Sequence, residues 1–149
     1  MRQIKGFTMI ELIVTLAVLA ILVAIAIPTY NGLMPRYRLN GATRLVATDL
    51  SGARMKAVKL NRRVQVFFSA QGYKICDDAD QNGTVGANEG DVQNINLQTH
   101  YPGVSLSASG GDLIFHPRGT AVNTVTVTFS NSSGSKQIQV NTTGRVKQL

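Results

Sequence analysis

One stretch of sequence limits what this chain can fold into more than any other. From Leu12 to Ile27 there is no charged residue and only one polar residue, Thr15. Together with residues 7–10, it is about as long as the ~20 residues that cross a bilayer as a helix. Glu11 lies near its front, where a carboxylate costs on the order of 2.5–3.5 kcal/mol in lipid and usually has a specific partner. The stretch therefore predicts a membrane-spanning helix whose single acid is paired.

The residues before this helix form a short basic leader, residues 1–6. A secretory signal peptide also begins with a basic segment that leads into an apolar one. Glu11 argues against that alternative, and residues 25–30 form a poor small-residue cleavage site. A cut between Gly6 and Phe7 would instead create a positive amine at Phe7. Along a straight helix Glu11 cannot easily reach the amine of its own chain, but it can reach that of a neighbouring helix displaced along the same axis.

The start of the chain resembles a known processing motif. Residues 6–12, Gly-Phe-Thr-Met-Ile-Glu-Leu, resemble the type IV prepilin cleavage motif, with methionine where many relatives have leucine. The resemblance implies that a prepilin peptidase cleaves after Gly6, that Phe7 is N-methylated and that Glu11 pairs with the Phe7 amine of a neighbouring subunit. It implies a single-pass protein of the bacterial inner membrane, whose C-terminal domain lies in the periplasm or on a filament. A plain membrane anchor is the alternative.

A second helical pattern follows the apolar stretch. Its apolar residues recur at spacings of three and four and form one stripe. The stripe consists of Leu39, Ala42, Val46, Leu50, Ala53, Ala57 and Leu60. Pro28 lies between the two patterns and should kink or locally melt the helix. We therefore predict one long, interrupted helix from about residue 8 to residue 61, with a transmembrane and assembly part over 7–28 and an amphipathic part over 29–62.

From residue 63 the period of the pattern changes to two. Residues 64–68 and 72–76 predict a hairpin, and residues 124–129 alternate between threonine and apolar side chains, as a half-buried strand does. Turns rich in Gly, Ser and Asn separate several of the strands. The further strands are predicted at 92–97, 104–108, 112–116 and 137–140. The pattern predicts an α+β fold, in which the long helix packs on antiparallel sheets of about seven strands over residues 63–149.

The second half of the chain resembles a narrower group. The segment over residues 38–66 resembles the helix-to-first-strand segment of the GspH/FimT group. An Ile-Phe-His-Pro-Arg-Gly element of that group is matched by residues 114–119, and its basic C-terminal end is matched by residues 144–147. The resemblance implies a type IV pilin-like fold with a small β-sandwich packed on the helix. It also implies a minor pilin of a type IV pilus or a minor pseudopilin of a type II secretion system. Other subunits would be its partners through the N-terminal helix, and the choice between the two machines stays open.

The charges are divided unevenly, and the formal net charge is +7. Residues 36–63 carry eight bases and one acid, whereas residues 77–91 carry five acids and no base. A basic surface of this kind binds phosphates, anionic lipid or acidic neighbours, or is simply a solvated helix face.

The acidic segment fits the pattern of an EF-hand calcium loop. The predicted ligands for Ca²⁺ are Asp78, Asp80, Asn82, Thr84 through its backbone carbonyl, and Glu89. These are hard oxygen donors, and the glycine at position 83 permits the sharp turn that such a loop needs. The flanks read as strands rather than the helices of the full motif. The sequence predicts either a calcium site in a β-connection or a solvated polar turn.

The C-terminal end is the second candidate site. In the FimT branch a similar basic element implies DNA capture during natural transformation, so a pilus-borne receptor for double-stranded DNA is the alternative function. Arg145 and Lys147 are able to contact phosphates together, and such binding is independent of base sequence and sensitive to salt. Arg118 and Lys136 would extend the patch. The competing interpretation is a closing edge strand whose exposed charges discourage edge pairing.

The remaining reactive residues argue against an enzyme. Cys76 is the sole cysteine, which excludes an intramolecular disulfide, and its apolar-alternating surroundings predict a small buried residue. His100 and His116 are too few and too far from other ligands for zinc, and no Ser/His/Asp set, phosphate-binding loop or CxxC motif is present. A third alternative is an anchored or secreted calcium-binding β-domain that does not assemble, and Glu11 speaks against it.

Overall fold

The computed structural model describes the backbone of residues 6–149 and the side chains of that range except at positions 28, 29 and 31. Most of the predicted leader therefore lies outside the described residues. The chain divides into two compact units, Met1–Met34 and Pro35–Leu149. Helix α1 is assigned over Met9–Leu60 and includes Pro28, so the local melting expected there is not seen. A proline removes one backbone hydrogen bond, and in this helix the turns on either side remain helical.

The N-terminal unit consists of the first half of α1. Its apolar side chains from residue 9 to residue 27 are all exposed, and so are those of Tyr30 and Leu33. The segment Met9–Ile27 has a mean hydropathy of 3.0, and by length and composition it is able to cross a membrane. Its one polar side chain after Glu11, that of Thr15, donates a hydrogen bond to the Leu12 carbonyl at 2.8 Å. The hydroxyl is thus satisfied within the helix, as burial in lipid requires.

The second half of α1 has one buried face. Six of the seven residues of the predicted stripe are at most 5% exposed: Leu39, Ala42, Val46, Leu50, Ala53 and Ala57. The prediction is wrong for Leu60, which is 39% exposed, because it is the last residue of the helix. Three of the six buried residues are alanines, and small side chains let strands approach the helix axis closely.

Within residues 6–149, eight strands form two antiparallel sheets behind this helix, against the seven or so that the sequence predicts. The first sheet has the order β3-β2-β1-β5, with β1 at Val64–Ser69, β2 at Gly72–Asp77, β3 at Gln93–Asn96 and β5 at Leu113–Phe115. The second has the order β4-β6-β7-β8, with β4 at Ser105–Ser109, β6 at Val125–Asn131, β7 at Gly134–Val140 and β8 at Val146–Gln148. A short helix α2, Leu97–His100, follows β3. The predicted hairpin is confirmed, with Val64 paired to Asp77 and Ser69 to Gly72.

One core joins the helix to both sheets. It contains Leu50 of α1, Ile75 and Phe115 of the first sheet, and Phe129 and Ile138 of the second. Every buried hydrophobic residue in the described part of the chain lies between Leu39 and Val140. The unit Pro35–Leu149 therefore has a complete core of its own.

A partly buried hydrogen bond also ties the helix to the first sheet. The hydroxyl of Tyr73, on β2, donates to a carboxylate oxygen of Asp49 on α1. Burial and this hydrogen bond raise the pKa of Tyr73 far above its ordinary value. The one acid among the bases of residues 36–63, Asp49, is thus used inside the domain.

Candidate functional site

Thr8 begins the long helix. Its hydroxyl oxygen accepts a hydrogen bond from the Glu11 amide at 3.3 Å, and its carbonyl accepts one from the Leu12 amide at 3.3 Å. A threonine at this position satisfies one of the amides left open at a helix start. Thr8 followed three residues later by Glu11 is also a capping-box pattern, a signal that the sequence analysis did not use. The helix thus starts two residues after the predicted cleavage point.

Phe7 and Glu11, which the processing motif singles out, are both exposed, with Phe7 at 76%. Glu11 lies in the first turn of α1. No basic group lies within 4.0 Å of it in the part of the chain that the structure describes. The geometry leaves its carboxylate open to a group from outside the unit. Cleavage, methylation and subunit pairing at these residues stay predictions.

The acidic loop, residues 78–92, connects β2 to β3 and holds a cluster of carboxylates. One oxygen from each of Asp78, Asp80 and Glu89 lies within 4.8 Å of the others. Asp78 is 3% exposed, whereas Asp80 lies open to solvent. Asn82 follows at the fifth position of the loop, and its side-chain oxygen accepts hydrogen bonds from the Thr84 amide at 2.8 Å and the Thr84 hydroxyl at 2.6 Å. The structure thus brings together three of the five predicted calcium ligands, Asp78, Asp80 and Glu89.

Lys56 of α1 holds both ends of the acidic loop. Its ammonium lies 2.9 Å from Oδ1 of Asp77 and 3.2 Å from Oδ2 of Asp91. Asp77 is 3% exposed and also accepts the Asp91 amide at 2.9 Å. Burial alone raises the pKa of Asp77, but the hydrogen bonds from Lys56 and the Asp91 amide, with the charges of Lys56 and Arg62, outweigh it and lower that pKa. For Lys56, the hydrogen bonds and charges of the two acids likewise outweigh burial and raise its pKa.

Cys76 is fully buried, which confirms the prediction for it. Its thiol donates to the carbonyl of Ala87 at 3.4 Å and so fastens the middle of the acidic loop to β2. Burial, the largest influence, raises the pKa of the Cys76 thiol.

The basic C-terminal element is an edge strand, β8, as the competing interpretation predicts. Arg145 and Lys147 are exposed, and they line one shallow cleft with Gln139 and Asn141. A tight turn fixes the position of the Arg145 backbone, because the Asn141 side-chain oxygen accepts a hydrogen bond from the Arg145 amide at 2.9 Å. These two bases therefore share one face of the second sheet.

The other two predicted DNA contacts are placed differently. Lys136 pairs across the strands with the buried Phe129, so it lies on the opposite face of the sheet from Lys147, whose partner is Gln139. Arg118 is exposed on a turn, and the carbonyl of the next residue, Gly119, accepts the Arg54 Nε hydrogen bond at 2.8 Å. The structure thus does not bring all four bases onto one surface, because Lys136 lies on the other face.

Two turns lie close together through Gly119 and Gly144, a contact that the sequence did not predict. The Gly119 carbonyl lies where a side chain on Gly144 would begin, so position 144 has no room for one. The φ angle of Gly144 is 75°, a conformation in which other residues are strained. This contact places the Arg118 turn beside the Arg145 turn.

The sequence did not predict a role in any site for three basic residues on or next to the helix: Arg54, Lys56 and Arg63. Arg63 follows α1 and donates to the carbonyl of Gly83 inside the acidic loop. The signal was the uneven division of charge, with bases over 36–63 and acids over 77–91. That division predicts attraction between the segments but not which base meets which acid.

Comparisons with known proteins place these features in a family. A family model described as "Type II transport protein GspH" matches residues 42–144. The chain belongs to the GspH family. A second model, the prokaryotic N-terminal methylation motif, matches residues 1–27 of this GspH-family chain. The resemblances drawn from the sequence to type IV pilin-like proteins and to the GspH/FimT group are thereby confirmed.

Individual relatives agree with this assignment. The chain is 30% identical to "Pilin-like protein PilA1" of Thermus thermophilus over 96% of this chain and 97% of that protein. Among solved structures it is similar to the type IV minor pilin FimU of Pseudomonas aeruginosa, with a TM-score of 0.58 and 17% identity over 78% of this chain and 92% of that one. It is also similar to the minor pseudopilin EpsH of Vibrio cholerae, with a TM-score of 0.59 and 12% identity over 75% and 96%. The predicted type IV pilin-like α+β fold is confirmed.

Proposed function

We propose that this chain is a minor pilin or pseudopilin that is cleaved after Gly6 and assembles through its N-terminal helix into a filament. The filament is either a type IV pilus or a type II secretion pseudopilus. The observation that carries the proposal is the segment Met9–Ile27, of which none is buried within the chain. A continuous apolar surface of this size marks a membrane or subunit interface. In this proposal lipid covers it before assembly, and the helices of other subunits cover it afterwards.

Glu11 favours assembly over simple anchoring. A carboxylate at the front of an apolar helix is costly in lipid, and a plain anchor would have no use for it. Cleavage creates a positively charged amine at Phe7 of a neighbouring subunit, and this amine can neutralise the Glu11 carboxylate. One pair of this kind per subunit neutralises both charges and sets the axial displacement between adjacent helices. Before assembly the subunit lies in the bacterial inner membrane, with residues 35–149 in the periplasm.

The proposal assigns no catalytic role to the chain. Prepilin peptidase acts on residues 6 and 7, and the chain itself serves as a structural subunit. The family, whose relatives are pilins and pseudopilins, supports this assignment.

Substitution of Glu11 tests the proposal. The full-length chain is expressed in a bacterium with the matching machinery, and the N-terminal mass, the membrane fraction and the amount in purified filaments are measured. We expect Glu11→Gln to be inserted and processed as wild type but to fall at least tenfold in filaments. Asp112→Asn, which neutralises an exposed acid of the globular unit, is the matched control and should assemble normally.

Two results would overturn it. Glu11→Gln present in filaments at the wild-type level would exclude the charge pairing. A filament subunit that retains residues 1–6, or that lacks the N-methyl group on Phe7, would exclude the processing step. The location of the filament, sheared from the cell surface or retained in the envelope, separates the pilus from the pseudopilus.

A second candidate function is the binding of double-stranded DNA by the C-terminal strand. The observation that favours it is the placement of Arg145 and Lys147 on one face, exposed and lining a common cleft. Neither base lies within 4.0 Å of a carboxylate in residues 6–149, so both charges are open to phosphates. Arg118 supports the site from the adjacent turn, whereas Lys136 lies on the other face.

A gel-shift series over salt concentration tests this candidate. Arg145→Ala with Lys147→Ala should weaken binding and reduce its dependence on salt by about two units of slope, about one for each phosphate that is no longer neutralised. Lys136→Ala is the matched control and should leave the affinity within about twofold. Equal effects in the control and the double variant would show a general influence of net charge, and unchanged binding by the double variant would remove the candidate.

A further inference from the structure

The acidic loop carries more negative charge than the basic side chains next to it neutralise. Five acids lie between residues 77 and 91, and Lys56 neutralises two of them, Asp77 and Asp91. The other three, Asp78, Asp80 and Glu89, converge with one oxygen each within 4.8 Å. Within the described chain none of these three lies within 4.0 Å of a basic group. Three like charges held this close repel one another unless a cation lies among them.

Asp78 supplies an independent sign that something is bound. It is 3% exposed, and its Oδ2 accepts the Gly83 amide at 3.0 Å. Its Oδ1 is buried and has no hydrogen-bond partner among the residues the structure describes. A buried, unpaired carboxylate oxygen is strongly unfavourable. The lone pairs of this oxygen are therefore available to a ligand.

The other two carboxylates of the cluster, those of Asp80 and Glu89, are held by backbone amides of the loop. The Glu89 carboxylate turns back across the loop and accepts the Ala79 amide at 2.9 Å and the Gly86 amide at 2.7 Å. Asp80 Oδ1 accepts the Asn82 amide at 3.1 Å. Oε1 of Glu89 also accepts the Asp80 amide at 3.3 Å. Oε2 of Glu89 and both oxygens of Asp80 accept one hydrogen bond each, so each of these three oxygens keeps a second lone pair for a ligand.

We propose that the acidic loop binds one calcium ion through Asp78, Asp80 and Glu89. The Thr84 carbonyl is a further ligand, and so is the Asn82 side-chain oxygen once it exchanges a hydrogen bond from Thr84 for the ion. All donors are hard oxygens, which exclude soft metals as the preferred occupant. Amide and carbonyl oxygens beside three carboxylates suit the higher coordination number of Ca²⁺ better than the strict octahedron of Mg²⁺. The site is a calcium loop between two strands, and it needs no flanking helices.

The anchors at both ends of the loop replace the helices of an EF-hand. Lys56 and the Asp91-to-Asp77 hydrogen bond join the ends of the loop. Cys76 fastens its middle through the Ala87 carbonyl, and Arg63 fastens the Gly83 carbonyl. Fixed ends keep the donors together before the ion arrives. We expect an affinity on the order of 10⁻⁴–10⁻³ M, the range of extracellular calcium modules.

Calorimetric titration of CaCl₂ into the full-length chain in detergent tests the site, with MgCl₂ in a parallel titration. Wild type should bind one Ca²⁺, more tightly than Mg²⁺, and its melting temperature should rise with calcium. Asp78→Asn should weaken calcium binding at least tenfold and abolish that rise. Asp112→Asn removes an equal charge from an exposed position outside the acidic loop and should keep the calcium affinity within about twofold.

A loop variant that unfolds is recognised from its melting curve without calcium. Asp78→Asn is expected to melt at or above the wild-type temperature in EDTA, because a neutral amide removes the repulsion at the buried oxygen. Asp80→Ala, at an exposed position, gives a second test with little risk to folding and should also bind at least tenfold more weakly. No calcium-dependent heat or melting shift in wild type, or an equal drop in affinity in Asp112→Asn, would overturn the site.

Discussion

The two halves of helix α1 have the same secondary structure but opposite surroundings. Residues 9–27 are apolar on every side and entirely exposed within the chain. Residues 39–57 have a single apolar face, and that face is buried to at least 95% at Leu39, Val46 and Leu50. A helix that is apolar all round is made for lipid or a bundle, whereas one with an apolar stripe packs on its own domain. The chain completes its fold in the second half and leaves the first half for other molecules.

Two carboxylates show the same division. Asp77 is buried and has its cation, Lys56, in the same chain at 2.9 Å. Glu11 is exposed on the apolar half, and within the described residues no cation lies within 4.0 Å of it. Folding supplies the partner of the first, and in the proposed filament assembly supplies the partner of the second.

Leucine truncation should give the largest contrast. Leu50→Ala leaves a cavity in the core, and we expect it to lower the free energy of unfolding by about 2–5 kcal/mol. Leu19→Ala removes the same atoms from a residue that is 56% exposed. We expect no change in the unfolding of the globular unit from it. Urea denaturation of the full-length chain in detergent, followed by circular dichroism, makes the comparison, and similar effects from both variants would contradict it.

Enlargement of a buried alanine should have the next largest effect. Ala57 is fully buried against the sheets, so Ala57→Leu should overpack the core and lower the free energy of unfolding by about 1–3 kcal/mol. Ala20→Leu adds the same atoms in the exposed half and should leave the globular unit unchanged. Thermal melts of both variants measure the difference. A neutral Ala57→Leu would mean that the helix and sheets are not in close contact there.

Removal of Lys56 tests the carboxylate comparison. Lys56→Met leaves Asp77 buried with only the more distant Arg62, 3.9 Å away, and we expect the free energy of unfolding to fall by about 1–3 kcal/mol. Lys59→Met, one turn along at an exposed position, is the control and should change little. Urea denaturation measures both variants, and equal midpoints would contradict the role of Lys56.

The same pair should show in the pH dependence of stability. The pKa of Asp77 is lowered from 3.8, so its ionised form stabilises the fold above that pH, and the contribution is lost as the pH falls through the lowered pKa. The pKa of Lys56 is raised above 10.5, so its contribution is complete below pH 10.5 and is lost as the pH rises beyond it. Asp77→Asn should flatten the acid limb of unfolding free energy against pH, measured by urea titration. An unchanged acid limb would show that Asp77 is not the responsible group.

Glycine substitutions should give the smallest effects, with opposite signs. A Cβ at Gly41 would lie 2.9 Å from Cζ of Tyr101, whereas one at Gly52 meets nothing within 4 Å. Gly52→Ala should stabilise the helix by about 0.5–1 kcal/mol. Gly41→Ala gains the same propensity but must displace the Tyr101 ring, so we expect a net destabilisation of up to about 1 kcal/mol. Equal melting shifts in both variants would show that the ring moves freely.

Patterns that repeat along the chain predicted the local structure well. The spacing of Leu39, Val46 and Leu50 indicated the buried face, and the alternation over residues 64–76 indicated the first hairpin. Leu60 fits the same spacing but is exposed, because periodicity does not say where the packing partner ends. The eighth strand, Val146–Gln148, is only three residues long. Alternation over three residues does not distinguish a strand from a loop, so the sequence indicated the edge strand only as a competing interpretation.

Contacts between distant residues were harder to predict from the sequence. Lys56 and Asp91 are 35 residues apart, and Arg54 and the Gly119 carbonyl are 65 apart. Only the sheet register decides that Lys136 and Lys147 lie on opposite faces. The acidic loop is different, because its candidate ligands lie within twelve consecutive residues. The sequence could therefore propose a set that includes the three carboxylates that the fold brings together.

Because Cys76 is buried, its thiol can report how often the acidic loop detaches from β2. A thiol that is fully buried and bonded to the Ala87 carbonyl reacts with an alkylating reagent only when the loop detaches from β2. Its rate of alkylation in the native state therefore measures how often that segment opens, separately from global unfolding. The alkylation rate of this single cysteine thus gives the opening frequency of the acidic loop.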